Sequence, residues 1–247
     1  MEDDPAKEDP AKPLDDSPEA VAARHRKTYL TLGSVVGVLL LLLAAYHFAT
    51  RPPPLPGSGE NLSMAQLTEA VKPWVGRLEF IGASGKPQVM GLAVTIGNGQ
   101  MMTTCHNLPR GGELNVVFFD GPSKAESARL NKELDVCQLR VKTTGPTAAK
   151  LRGGDPVQGE KVYVVMITDP AAPAKLVETR VTKPISDRGG SGFGIESKED
   201  FSTGAAVFDQ QGRLAGIINF PHTYGDFTMA YGAARIEAAR ERQPPAN

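Results

Sequence analysis

The chain has 247 residues, with 27 Lys and Arg against 28 Asp and Glu, for a formal net charge of −1. That balance excludes the basic excess of a nucleic-acid-binding domain, so no nucleic-acid partner is expected. With 26 Gly, 20 Pro and only 6% aromatic residues, the composition favours a turn-rich β domain over a helical bundle.

Residues 1–28 are polar and charged and include the echo DPAKEDPAKP. So few apolar groups cannot offset the entropy of ordering, and a disordered tail is expected. The next segment, YLTLGSVVGVLLLLLAAYHFA at 29–49, contains no Asp, Glu, Lys or Arg. Its length and apolarity predict a single transmembrane helix, with Tyr29, Tyr46 and His47 near the interfaces. The following HFATRPPPLP is a poor signal-peptidase site, which favours a retained anchor over a cleaved leader. Arg24, Arg26 and Lys27 precede the segment and only Arg51 closely follows it. The positive-inside rule then places the N-terminus in the cytoplasm and the remainder outside. Residues 50–61 read as a Pro-rich, semi-rigid linker, 62–243 as one domain, and 244–247 as a tail.

Within that domain, Ser63 and Gln66 have capping-box spacing, and Met64, Leu67, Val71 and Trp74 recur at helical intervals. A short helix ending near Lys72, before Pro73, is predicted. Short apolar or alternating runs follow, among them VGRLEFIG, VMGLAVTIG, GQMMTTC, ELNVVFF, DVCQLRV, KVYVVMI, RLAGIIN and FTMAYG. Many short strands without interleaved helices predict an antiparallel barrel or sandwich. RGGSGFG at 188–194 reads as a flexible loop, and ARIEAARER at 234–242 as a terminal helix stopped by Pro244.

Four histidines are present: His25, His47, His106 and His222. The chain has no His-Glu-x-x-His and no Cys-x-x-Cys, so neither a metal nor a cofactor is expected. RGGSGFG lacks the Lys-Ser/Thr of a phosphate-binding loop.

Three segments carry a family resemblance. GLAVTIGNGQMMTTCHNL resembles the strand pair that delivers the catalytic histidine of trypsin-like serine peptidases, particularly the bacterial HtrA/Deg branch. ELDVCQLRV resembles the strand bearing their aspartate, at Asp135, and STGAAVFDQQGRLAGI resembles their nucleophile loop. Gly212 and Gly216 stand nine and thirteen positions after Thr203, which places Thr203 at the nucleophile position. The resemblance spans nearly all of 62–243 and implies a mainly β fold of two six-stranded antiparallel β-barrels, preceded by the transmembrane helix and flanked by short terminal helices. It implies a catalytic set of His106, Asp135 and Thr203, with Ser202 as the alternative nucleophile and backbone amides at Phe201 and Thr203 as the oxyanion hole. In such a set the histidine accepts the nucleophile's proton and the carboxylate fixes its tautomer. No PDZ module is expected after the domain.

The loop departs from the family pattern. Thr203 replaces serine, Phe201 stands where the oxyanion loop has glycine, and Ala205 and Ala206 replace glycine and proline. The extra methyl of threonine crowds the attack path, and phenylalanine lacks the backbone freedom of glycine. The reading is therefore a membrane-anchored, periplasm-facing pseudopeptidase that binds a peptide or protein partner. The alternatives are an endopeptidase using Thr203 or Ser202, or a structural role in a membrane complex. A bacterial inner membrane follows from the family branch and the anchor, and a homo-oligomer is compatible with both. If His106 and Asp135 pair, Cys105 and Cys137 lie close together; an extracytoplasmic disulfide and two buried thiols remain the two readings.

Overall fold

The computed structural model describes residues 17–50 and 57–241, apart from 98, 107, 110, 119–120, 143–147, 170–171, 173, 197–198 and 221–226. The chain divides into two compact units, Met1–Pro53 and Pro54–Asn247.

The described part of the first unit is helix α1, Pro18–Thr50. It opens eleven residues before the predicted start at 29, with proline at the first helical position, where its missing N–H costs nothing. Residues 1–16 of the expected tail lie outside the described residues. The span expected over 29–49 falls on this helix, yet among the described residues no helix is long and apolar enough to cross a membrane.

The second unit begins where part of the expected linker is tied to the domain. The N–H groups of Gly57 and Leu62 donate to the carbonyls of Gln211 and Gln210, at 2.6 and 2.8 Å. Residues 57–61 are thus held against a turn of the domain, while 51–56 lie outside the described residues. Helix α2, Met64–Val71, starts on the predicted capping box: Ser63 and Gln66 each accept the other's backbone N–H. It buries Leu67 and Val71, and a 3-10 turn, Lys72–Trp74, follows at Pro73.

Twelve strands follow, forming two closed six-stranded antiparallel barrels. The first barrel contains β1 (Val75–Ile81), β2 (Pro87–Gly97), β3 (Gln100–Thr104), β4 (Glu113–Phe118), β5 (Gly121–Asn131) and β6 (Val136–Val141), closing in the order β1-β2-β3-β6-β5-β4. The second contains β7 (Lys161–Met166), β8 (Lys175–Asp187), β9 (Gly190–Glu196), β10 (Ala206–Phe208), β11 (Leu214–Ile218) and β12 (Phe227–Gly232), closing as β10-β11-β12-β9-β8-β7. Helix α3, Ala233–Glu241, ends the described chain one residue before the predicted end at 242.

Strands β2 and β3 show why the barrels pack as one body. Ala93 and Met101 belong to the first barrel's core with Leu78, Val116, Leu139 and Val141. Their neighbours Leu92, Val94 and Met102 belong instead to the larger cluster that holds Phe193, Phe208, Leu214 and Ile217 of the second barrel. Both faces of β2 are buried, so LAVTI reads as a continuous apolar run rather than an alternation.

One expectation fails. RGGSGFG is not a flexible loop: Gly190–Glu196 is strand β9, paired with both β8 and β12. Phe193 and Ile195 are buried in the core, while Gly192 and Gly194, alternating with them, permit close backbone approach. A Cβ at Gly192 would lie 2.5 Å from the Ala230 carbonyl oxygen, and one at Gly194 would lie 2.6 Å from Thr182 Oγ1.

Candidate active site

Register brings the first pair together. β3 and β6 run antiparallel, with Thr103 opposite Cys137 and Thr104 opposite Val136. The next residues outward are therefore Cys105 and Asp135, and the Cys105 N–H donates to the Asp135 carbonyl at 3.2 Å. His106 follows at the mouth of the barrel. Its backbone N–H donates to Asp135 Oδ1 at 2.9 Å, and its ring Nδ1–H donates to Oδ2 at 2.6 Å. This places the ring proton on Nδ1 and so fixes the tautomer. The two side chains are about equally shielded, 24% and 23% exposed.

Asp135 has a φ of +50°, in the left-handed region that aspartate tolerates better than most residues. The Leu134 N–H donates to Asn131 Oδ1, closing the turn that leads into it. Cys105 and Cys137 form a disulfide across the two strands, with Cα atoms 5.0 Å apart. The bridge thus joins the residue before His106 to the one two places after Asp135.

Two aromatic residues complete the pair's surroundings, and neither was legible as a site residue in the sequence. The Phe220 ring stacks on the His106 ring, with centroids 4.6 Å apart and planes 3° from parallel. The Tyr231 hydroxyl, from β12 of the second barrel, donates to Asp135 Oδ2 at 2.6 Å. Burial pushes the Asp135 carboxyl up, but hydrogen bonds from His106 and Tyr231 outweigh it and hold the group below its ordinary value. Burial and the Asp135 carboxylate push the Tyr231 phenol far up, keeping it a neutral donor.

Thr203 and its loop sit across the barrel seam from β2. The Leu92 N–H donates to the Thr203 carbonyl at 2.9 Å, and the Gly204 N–H donates to the Ile218 carbonyl at 2.8 Å. Gly204 has a φ of +76°, and a Cβ there would meet the Leu92 carbonyl oxygen at 2.1 Å. Thr203 is only 5% exposed, and Ser202 is partly buried. Phe201 is fully buried within the cluster that fills the second barrel. Among the described residues no hydrogen bond joins the His106 ring to Thr203 or Ser202. The structure therefore pairs His106 with Asp135 and Cys105 with Cys137, and leaves the nucleophile position unconnected to the imidazole.

Among the described residues no three His, Cys, Asp or Glu side chains converge in a metal-binding group. His222 lies outside the described residues, as do the side chains of His25 and His47.

A fold of this kind has known counterparts. The Rv3671c protease of M. tuberculosis in its active form superimposes with a TM-score of 0.62 at 16% identity, over 79% of this chain and 94% of that one. The HtrA-type protease AlgW with a decapeptide gives a TM-score of 0.62 at 14% identity, over 73% of this chain and 67% of that one. The serine endoprotease of Yersinia pestis gives 0.60 at 15% identity, over 74% and 67%. No curated protein matches the chain. The trypsin-like peptidase domain, as a family, matches residues 91–217, a stretch that opens at the glycine packed on Thr203, takes in the His106–Asp135 pair and closes inside β11. With slightly more than half its length covered by that match, the chain belongs to the trypsin-like peptidase domain family.

Proposed function

We propose that the protein is a binding member of this family: the seam between its two barrels takes an extended peptide or protein segment and does not cleave it. The observation that carries this reading is the burial of Phe201. Acyl transfer needs backbone amides preorganised toward the developing oxyanion, each commonly worth about 3–4 kcal/mol. The resemblance puts glycine at that position, and here a phenylalanine ring is embedded in the second barrel's core. The adjoining peptide is thereby tied to the packing of that core, where a glycine would leave the backbone free to turn. Thr203 adds a methyl group where the hydroxyl must approach His106.

An anchor in a bacterial inner membrane, with the barrels in the periplasm, is part of this proposal. Its support is the uncharged 29–49 segment, the cations before it, and exposed apolar side chains such as Val38, Leu39, Leu41 and Leu42. The retained His106–Asp135 geometry favours one second reading, an endopeptidase using Thr203 or Ser202.

The two readings separate in one experiment on the full chain. A serine-directed phosphonate and fluorescently labelled β-casein are supplied, and labelling, cleavage and anisotropy are followed. The binding reading expects saturable anisotropy change, no adduct and intact casein. An adduct at residue 202 or 203 that disappears in His106→Ala would establish the endopeptidase instead.

A further inference from the structure

We propose that Tyr231 is the positioning residue of the His106–Asp135 pair, and that it acts across the seam between the two barrels. His106 and Asp135 belong to connections of the first barrel, whereas Tyr231 lies on β12 of the second. The Asp135 carboxylate is engaged on both oxygens: Oδ1 by the His106 backbone N–H, and Oδ2 by both the His106 ring N–H and the Tyr231 hydroxyl. A phenol has one proton to give, and the 2.6 Å contact directs it to the oxygen that also holds the imidazole. The hydroxyl therefore helps to aim the carboxylate and, with His106, favours its charged form.

Tyr231 is itself held by Arg235 of α3. The guanidinium carbon lies 3.8 Å from the ring centroid, and the arginine is only 4% exposed. Arg235 Nε–H donates to the Leu134 carbonyl at 2.6 Å, at the peptide immediately before Asp135. Its Nη1 donates to both carboxylate oxygens of Asp187, at 2.8 and 3.0 Å. The charged and titratable groups facing the Asp135–Tyr231 contact are thus His106, Arg235 and Asp187. One buried cation steadies the ring that donates to Asp135 and the backbone that carries Asp135. A residue that served only to fill space would need neither the 2.6 Å hydroxyl contact nor the carboxylate it meets.

The inference concerns the pair and not the nucleophile, so it stands whether or not Thr203 reacts. The test follows the Asp135 carboxyl carbon by NMR through an acid titration of the 13C-labelled full chain. Tyr231→Phe keeps the ring and removes the donor, and the Asp135 midpoint is expected to rise by roughly 0.5–1 in pH. Replacing all five tyrosines with 3-fluorotyrosine keeps the shape and strengthens the donor, and the midpoint is expected to fall. A purely structural tyrosine would leave the midpoint where it is in both proteins, and that result overturns the proposal. If Tyr231→Phe fails to fold, the fluorotyrosine protein decides: a lowered midpoint supports the proposal and an unchanged one overturns it.

Discussion

The carbonyl of Thr203 accepts a hydrogen bond from the N–H of Leu92 at 2.9 Å. The loop at the nucleophile position is therefore fixed to the first barrel by main-chain contact, whatever its side chain does. The next residue, Gly204, approaches the same strand so closely that no Cβ fits, and its φ of +76° is one that alanine adopts only under strain. Gly204→Ala is expected to destabilise the protein by about 2–4 kcal/mol. Urea denaturation, read by the fluorescence of Trp74, checks this.

The buried ring at 201 makes a different prediction. Restoring the family's glycine by Phe201→Gly removes a fully buried aromatic side chain, which costs about 3–5 kcal/mol in a close-packed core. The substitution is expected to lower the melting temperature steeply without producing phosphonate labelling. Thr203→Ser, which deletes one methyl, is expected to leave labelling absent as well. Labelling of either single variant at wild-type stability would show that the oxyanion loop is not held by the core.

Asp135 sets the acid sensitivity of the seam. Its folded carboxyl lies below the model-compound value of 3.8, so it contributes stability that is fully present above that value. This contribution is lost as pH falls through the lowered folded value. Asp135→Asn cannot titrate, so its stability is expected to vary less with pH in that window while starting lower at neutral pH. Denaturation midpoints measured at neutral pH and through the acid range would reveal the difference as two curves that converge on acidification.

The Cys105–Cys137 bridge closes a loop of sequence separation 32. The chain-entropy account assigns such a loop roughly 3–4 kcal/mol. The double variant Cys105→Ser, Cys137→Ser is expected to lose about that much stability, and its His106 resonances are expected to broaden because β3 and β6 are no longer stapled beneath the ring. Native and mildly reduced protein, compared by calorimetry, should differ in the same direction.

How much of this was legible depended on where the information lay. His106 and Asp135 were legible only through the family resemblance of the segments that carry them, and the β3–β6 register then brings the two together. The capping box at Ser63 was legible for a similar reason, since its chemistry is local. Strand β9 was hidden because its three glycines at 190, 192 and 194 look like a loop until the close approach of β12 at Gly192 and of β8 at Gly194 explains two of them. Helix α1 begins at Pro18, within residues whose charge masked good helix formers such as Ala20, Ala22 and Ala23. Tyr231 and Phe220 carried no signal at all. Tyr231 is one aromatic residue on β12 and Phe220 one just past β11, and their meaning arises only when the second barrel is placed against the first.

The double burial of β2 and β3 has a consequence for how this molecule can be divided. Leu92, Val94 and Met102 leave the first barrel's interior to complete the core of the second. A cut in the connection between β6 and β7 would yield two fragments, each with an open greasy wall where its sibling belongs. Neither fragment would live alone in solution; they would reunite or clump, and swapping one barrel for a relative's would demand that those three side chains travel with it.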